Sequence, residues 1–529
     1  NTLSVGTHKV SETTDDNYTQ SFSEDCAPDG SITLEVGDVK ECIITNSDIA
    51  PTLTLIKKVI NDNGGQSLAS AWTLSATGTE RNFSDKGTQD GSENKAVLGP
   101  KVIKAGIEYT LGESGPSGYT ASNWVCTGGG TQNGNKVTLA LNEHVTCTIE
   151  NDDQQGTLIV KKILTNDNGG TTNFTDFSFK INNGDDVSFE SNGQNEIAVD
   201  AGIYNITENT VAGYATSYDN CSNVEVPNGG TATCTITNND IAPSLTLVKE
   251  VNKNYGGTAN PTDWTLTATG PTDISGNGGV TSGDTFEAGT YTLSESEGPT
   301  GYSAGSWSCT NDITVGEGNS IVLDIGQSTT CTIINSDIQP LLTVTKIVVG
   351  SDKEASAFNL YVDDTEVTSG VQIGVNAGTY IVSEDTDTDY NSVITGACDE
   401  DGSITLALGD VKECTITNTR KTGQITFTKN ISHGDASPSN WVFAVYKGSE
   451  LVGTYNHDEV VTLDTGEYTV QEVGPTSSLP YYLDSIGGTA CTGTISSGIA
   501  DLTVTESGGT CVFGNSKKPT ITVKKLIEP

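Results

Sequence analysis

Cys147-Thr148-Ile149-Glu150-Asn151 closes a stretch in which aliphatic and hydroxyl side chains alternate, the pattern of a half-buried strand. The same punctuation, a Cys followed four residues later by an Asn, ends five other stretches, at Asn46, Asn238, Asn335, Asn418 and Asn515. Upstream lies a second signature, aromatic-x-aliphatic-x-Glu, as in Tyr109-Thr-Leu-Gly-Glu113. Further upstream, the five complete copies carry an aligned Lys on a β-rich run such as Leu53-Thr-Leu-Ile-Lys57 or Ile425-Thr-Phe-Thr-Lys429. Beads of 81 to 102 residues are too long for solenoid repeats and suit independent domains. Between the strands lie Gly, Asn and Asp turns, so the expected fold class is all-β, a tandem array of Ig-like or prealbumin-like sandwiches.

The register sets the boundaries. Complete beads are expected at 50–151 (long), 152–240 (short), 241–337 (long), 338–418 (short) and 419–516 (long, divergent). The long type carries a Trp early, at Trp72, Trp264 and Trp441, which reads as core. A Pro after the last strand, as in Asn46-Ser-Asp-Ile-Ala-Pro51, predicts short, semi-rigid linkers. Residues 1–49 match the C-terminal half of a bead, and 517–529 read as the first strand of a following domain or a donated strand. A strand alone would leave about two dozen residues of the half-bead unsupplied, which favours a longer natural chain over donation.

The 529 residues include no Met and carry a net charge of −42 spread over every bead. That charge argues against nucleic-acid partners and against anionic membranes. It reads as a solvated surface that keeps a Thr-rich filament soluble. No stretch predicts membrane insertion in this segment.

The twelve Cys fall two per bead: Cys26/Cys42, Cys126/Cys147, Cys221/Cys234, Cys309/Cys331, Cys398/Cys414 and Cys491/Cys511. One partner stands four residues before the terminal Asn, and the other is expected on the preceding strand. Pairs 13 to 22 residues apart read as hairpin staples formed in an oxidising compartment, hence an extracellular chain. Zinc would need a second Cys pair or clustered His in a bead, and the whole chain has four His. No metal site and no cofactor is expected. The loops Asn61-Asp-Asn-Gly-Gly65 and Asn166-Asp-Asn-Gly-Gly170 could offer calcium ligands, but equivalent loops lack the ligand set and a plain turn is the better reading. Glycosylation triplets at Asn17, Asn82, Asn173, Asn205, Asn220 and Asn430 are as frequent as chance gives in such a composition.

Tyr109-Thr-Leu-Gly-Glu-Ser-Gly-Pro-Ser-Gly-Tyr119, Tyr291-Thr-Leu-Ser-Glu295 with Gly301-Tyr302, and the ending Thr415-Ile-Thr-Asn418-Thr419 resemble the Cna protein B-type (prealbumin-like) domains of Gram-positive pilins and adhesins. The resemblance runs through essentially every bead. It implies a spontaneous Lys–Asn isopeptide bond promoted by the Glu, a single-turnover maturation and not an enzyme activity. Carried over, the trios are Lys57, Glu113 and Asn151; Lys161, Glu208 and Asn238; Lys249, Glu295 and Asn335; Lys346, Glu384 and Asn418; and Lys429, Glu472 and Asn515. Such an amine must be buried to lose its proton, and a buried Glu can accept and return it. The same residues have a plainer reading as an edge charge, a strand-ending Asn and a turn acceptor. The chain also departs from the family by pairing its last strands through disulfides, and Gly514 replaces a β-former beside Asn515.

The expected function is the shaft of a cell-surface filament, stalk or adhesin, whose partners are copies of itself or further domains of the same chain. The alternative is a binding module that grips a surface ligand, host protein or glycan, through its loops; a clustered patch of exposed aromatics would mark it. Nothing resembles a catalytic triad, a phosphate loop or a metal cluster.

Overall fold

The structure is a computed structural model that describes residues 2–91, 94–474 and 480–526. Strands dominate, with a one-turn 3-10 helix after the first strand of each complete domain, at Ala69–Ala71, Phe174–Asp176, Pro261–Asp263, Ala355–Ala357 and Pro438–Asn440. Among the described residues no helix is long and apolar enough to cross a membrane.

Each complete domain is a sandwich with one constant feature. Its first and last strands lie side by side and parallel. Thr52–Ile60 pairs with His144–Asp153, Gly156–Thr165 with Thr231–Asp240, and Ser244–Asn252 with Ser328–Asp337. Leu341–Val349 pairs with Val411–Arg420, and Thr422–His433 with Gly509–Lys517. Antiparallel strands flank this pair, as Lys95–Val102 and Tyr119–Ala121 do in the first complete domain. The second sheet carries the Glu strand, paired to the strand that follows the 3-10 turn: Glu108–Ser114 with Thr73–Thr77, and Gly378–Glu384 with Leu360–Val362.

Alternation decides what faces the interior. Leu53, Leu55 and Lys57 point inward from one strand, as do Leu342, Val344 and Lys346 from another, and all are buried. Each domain closes over its own apolar cluster. Last strands continue two residues past the Asn: Asp152 still pairs with Ile60, and Tyr390 pairs with Arg420. Residues 152–153 and 419–420, expected to open the next bead, therefore belong to the preceding strand because the ladder there is still complete.

In the N-terminal segment Gly6–Lys9 pairs with Ser31–Leu34 and Tyr18–Glu24 with Cys42–Asp48. The corresponding strands of the 338–418 domain pair in the same way. At the other end Lys517 closes a last strand, and the expected first strand beyond it pairs with nothing among the described residues. Ile521, Val523 and Leu526 there are solvent-exposed. Residues 527–529 lie outside the described residues.

The twelve Cys form six disulfides: Cys26–Cys42, Cys126–Cys147, Cys221–Cys234, Cys309–Cys331, Cys398–Cys414 and Cys491–Cys511. Their placement matches the expected hairpin staple only in part. Cys126 sits directly opposite Cys147 on an antiparallel pair, as does Cys309 opposite Cys331. In the two short domains the partner is not on the preceding strand. That strand ends at Asp219 in one and at Gly396 in the other, so Cys221 and Cys398 lie in the turn beyond it. Cys234 and Cys414 are fully buried within the last strands, and the turn brings its sulfur back over the sheet to meet them. The physical reason is register: Gly396 already occupies the position opposite Cys414, and Asp219 is the last residue paired before Cys234 is reached. Cys234 and Cys414 are thus joined to a turn and not to a strand. The last domain differs again. Cys491–Thr494 belongs to the second sheet, so its bond to Cys511 joins the two sheets and not neighbouring strands.

Loops of this size stabilise by about 3 kcal/mol on the chain-entropy account. At roughly 4–8 °C per kcal/mol, verified reduction without unfolding should lower the calorimetric midpoints by about 12–24 °C. Unchanged midpoints in fully reduced protein would refute the staple role.

Candidate functional site

A lysine in a sandwich interior is costly, because desolvation disfavours its charge. Lys57, Lys249, Lys346 and Lys429 are nonetheless buried, each with its amine inside the domain. The register fixes what each one meets. Lys57 pairs with Ile149, Lys249 with Ile333, Lys346 with Ile416 and Lys429 with Phe513. Two residues further along the last strand, on the same face, stand Asn151, Asn335, Asn418 and Asn515, all buried.

The Glu crosses from the second sheet. Lys57 Nζ lies 2.8 Å from Glu113 Oε2, Lys249 Nζ 2.9 Å from Glu295 Oε2, and Lys346 Nζ 2.6 Å from Glu384 Oε2. Lys429 contacts Glu472. In two domains the Glu also reaches the amide: Asn335 Nδ2 donates to Glu295 at 3.1 Å and Asn515 Nδ2 to Glu472 at 2.9 Å.

In the 152–240 domain the lysine is not the expected one. Lys161 is exposed, and Lys162 holds the interior position. Lys162 Nζ donates to Asn238 Oδ1 at 2.7 Å and pairs with Glu208. The reason is period-two alternation: Leu158 and Val160 point inward, so the next inward residue is 162. Counting from the aliphatic pair, as in Leu53-x-Leu55-x-Lys57, selects Lys162; choosing the first Lys of the dipeptide selects the wrong face.

An aromatic ring covers every amine. Nζ sits 4.9 Å from the Trp72 ring centroid, 3.8 Å from Phe177, 4.9 Å from Trp264, 4.7 Å from Phe358 and 5.1 Å from Trp441. The three Trp are thus core, as expected, and also the lids of these sites; Phe takes their place in the short domains. Burial pushes each Lys pKa below its ordinary value, and the facing Glu pulls it partly back.

Hydrogen bonding is incomplete. Asn151, Asn335, Asn418 and Asn515 each bury an Oδ1 that has no partner. Lys57, Lys249 and Lys346 hold Nζ at ion-pair distance from the Glu with angles too poor for a hydrogen bond. An unsatisfied buried polar group costs about 1–3 kcal/mol. An amine with its pKa lowered by burial, a carboxylate and a carboxamide buried side by side can exchange a proton and bring a nucleophile to a carbonyl carbon.

One other buried group went unread in the sequence. Asp153 accepts backbone N–H bonds from Asp62, Asn63 and Gly65, and Asp240 and Asp337 do the same for Asp167, Asn168 and Gly170 and for Asn254, Tyr255 and Gly257. Burial pushes the Asp337 carboxyl up, but its three loop donors outweigh that and leave it below the ordinary carboxylate range. The loops considered for calcium are thereby held as turns by a carboxylate from their own domain.

The prealbumin-like fold domain matches residues 48–149, 153–236 and 240–333, more than half of the chain. The chain belongs to that family. Several solved structures also resemble it. The Bacillus anthracis TIE protein is 17% identical, with a TM-score of 0.37, over 77% of this chain and 76% of that one. Two B repeat units of the collagen binding protein Cna of Staphylococcus aureus are 15% identical, with a TM-score of 0.17, over 69% and 100%. The major pilin subunit BcpA of Bacillus cereus is 12% identical, with a TM-score of 0.25, over 52% and 99%. No curated protein matches the chain.

The two neighbouring lysines give a sharp test. Lys162→Ala leaves Glu208 buried without its cation and should cost about 3–5 kcal/mol. Lys161→Ala, on the exposed face, should stay within about 0.5 kcal/mol. Hydrogen exchange over Gly156–Thr165 in the whole chain reads both; equal effects would contradict the register.

Proposed function

We propose that the chain is an extracellular structural protein, the shaft of a cell-surface filament, stalk or adhesin, and that its domains are cross-linked internally between Lys and Asn. The observation that carries this reading is the parallel pairing of first and last strands with the buried trio between them. Tension that enters at the start of the first strand and leaves at the end of the last pulls the two in opposite directions. It therefore loads every hydrogen bond of the pair in shear. A bond from Lys to Asn joins those same two strands, so the force passes along covalent chain and the rest of the domain carries none.

In the reaction the unprotonated Lys Nζ attacks Cγ of the Asn while the Glu takes up the amine proton. The Glu then returns a proton to Nδ2, ammonia leaves, and a secondary amide remains. No cofactor or outside reactant is needed, and the domain turns over once. Proximity held by the fold supplies most of the acceleration. The candidates are Lys57, Glu113 and Asn151; Lys162, Glu208 and Asn238; Lys249, Glu295 and Asn335; Lys346, Glu384 and Asn418; and Lys429, Glu472 and Asn515. The orphaned Asn oxygens and badly angled Lys–Glu contacts support the reading, since a packed noncovalent site would hydrogen-bond them.

Six disulfides support an oxidising, extracellular setting. Exposed aromatics among the described residues, Tyr18, Tyr218 and Tyr482, fall singly on three separate segments, so no clustered patch favours a ligand-gripping module. Partners of the shaft are then copies of itself or further domains. Intact mass of the reduced, alkylated full chain should fall short by one ammonia per cross-link, and Lys346→Ala should restore one of them. A mass equal to the plain sequence would leave the disulfides as the sole covalent staples.

A further inference from the structure

The domains meet end to end through a repeated set of contacts. One linker residue bridges each joint through its backbone. Gln154 N–H donates to Gly118 O behind it, and its carbonyl accepts from Gly229 N–H ahead, both at 3.0 Å. Ile241 does the same between Gly213 and Gly326, and Ile338 between Gly301 and Gly409. Gly118, Gly213 and Gly301 have positive φ, and a Cβ on them would strike Asn228, Ile325 and Leu408 of the next domain. The Gly of the Gly-Tyr motif is thus a contact between domains.

A third bond comes from the loops clamped by Asp153, Asp240 and Asp337. Asn63, Asn168 and Tyr255 carbonyls, held outward by those clamps, accept N–H bonds from Ala201, Ala288 and Ala377 of the following domain at 2.8, 2.7 and 2.8 Å. Each clamp is a buried Asp two residues after the last-strand Asn.

The fourth joint between complete domains keeps the linker bridge, since Lys421 N–H donates to Asp389 O at 3.0 Å behind it and its carbonyl accepts an N–H from ahead at 2.9 Å, but it loses the rest of the scheme. Two residues after Asn418 stands Arg420, a cation where the others have the Asp. Position 389, where the others have the Gly of Gly-Tyr, is an Asp. Thr465, which precedes a Gly as Ala201, Ala288 and Ala377 do, donates to the linker carbonyl of Lys421 and not to a clamped loop. Beyond the Lys421 bridge the contact is made by side chains, among them Arg420 Nη2 donating to Thr465 O at 3.2 Å and Asn391 Nδ2 to Glu506 Oε1 at 2.8 Å. Arg420 Nη1 lies 2.5 Å from Asp389 and Nε 3.4 Å from Asp464 of the next domain, and Lys421 lies 3.7 Å from Glu506. Asp389, Asp464 and Glu506 are about half exposed, and an open cleft lined by Lys353, Asp389, Arg420, Lys447 and Asp464 runs between the two domains.

We infer that the end surfaces of these domains form three stiff splices, at 154, 241 and 338, and one ionic hinge at Arg420. The splices rest on short backbone bonds to loops that buried carboxylates hold in place. The hinge has no clamped-loop bond; beside the Lys421 bridge it rests on ion pairs with half-exposed acids, which salt weakens as the Debye length falls from about 10 Å at 0.1 M to about 3 Å at 1 M. High salt then releases the 419–516 domain from the axis and leaves the other joints straight. The inference holds whether or not the Lys–Asn pairs are joined.

Small-angle scattering of the full chain tests it. Raising salt from about 0.1 M to about 1 M should shorten the maximum dimension of the unmodified chain. Arg420→Gln should show the shortened dimension already at low salt and lose the salt response. Negative-stain images at low salt should then show a wider angular spread at the joint next to the last domain alone. Asp240→Ala should add a bend at the 241 joint that salt does not change. An unmodified chain of constant dimension across the salt range would overturn the hinge, and so would wild-type angles in Arg420→Gln. A straight Asp240→Ala chain would overturn the clamp account of the splices.

Discussion

Five complete domains place a lysine where a sandwich interior least tolerates one, and much of each domain can be traced from that constraint. The amine needs a counter-charge, and the Glu from the opposite sheet supplies it at 2.6 to 2.9 Å in three domains. It needs shelter from water, and an aromatic ring carried by the 3-10 turn closes over it. It also brings the Asn to a fixed diagonal, because parallel pairing puts the last strand in one register in all five. Buried ion pairs seldom add net stability. Five of them nonetheless stand in equivalent places.

The disulfide and the Lys–Asn contact sit on different sides of the last strand. In most domains the disulfide ties that strand to the segment before it, a strand for Cys147 and Cys331 and a turn for Cys234 and Cys414. The Lys–Asn contact bridges the last strand to the first. With the proposed Lys–Asn bond, the last strand would be fastened to both of its neighbours. The divergent final domain, whose disulfide spans the sheets, keeps its trio in the same register despite Gly514.

The joints extend the same economy of parts. Tyr119 packs edge-on against Trp72 and bonds the loop that Asp153 clamps, so the residues that cover the amine also shape the surface offered to the next domain. Site and joint are consequently built from one loop, and a change at either disturbs the other. Arg420 is where that coupling is cut.

Much of this was open to reading in the residues themselves. Alternation, turn residues and the twice-per-bead Cys indicated the sandwich array and the six Cys pairs, because a period of two and a short loop are local properties. Where each sulfur sits was less legible: Cys234 and Cys414 meet a turn because the preceding strand stops short, and strand ends depend on pairing. Glu113, Asn151 and their counterparts stood out because the motif repeats. Lys162 was equally legible through Leu158-x-Val160, since strand alternation is also local; the neighbouring Lys161 merely obscured it. Contacts that join residues far apart in sequence were not legible. Nothing local announces that Asp153 reaches back some ninety residues to the loop at Asp62, or that Gly118 exists to admit Asn228. Those depend on which ends meet once the strands have paired. Local pattern was enough to set the repeated domain and the residue types each one buries. Which ring covers the lysine and how one domain is spliced to the next were left to the folded chain, because these follow from register and close approach between distant segments.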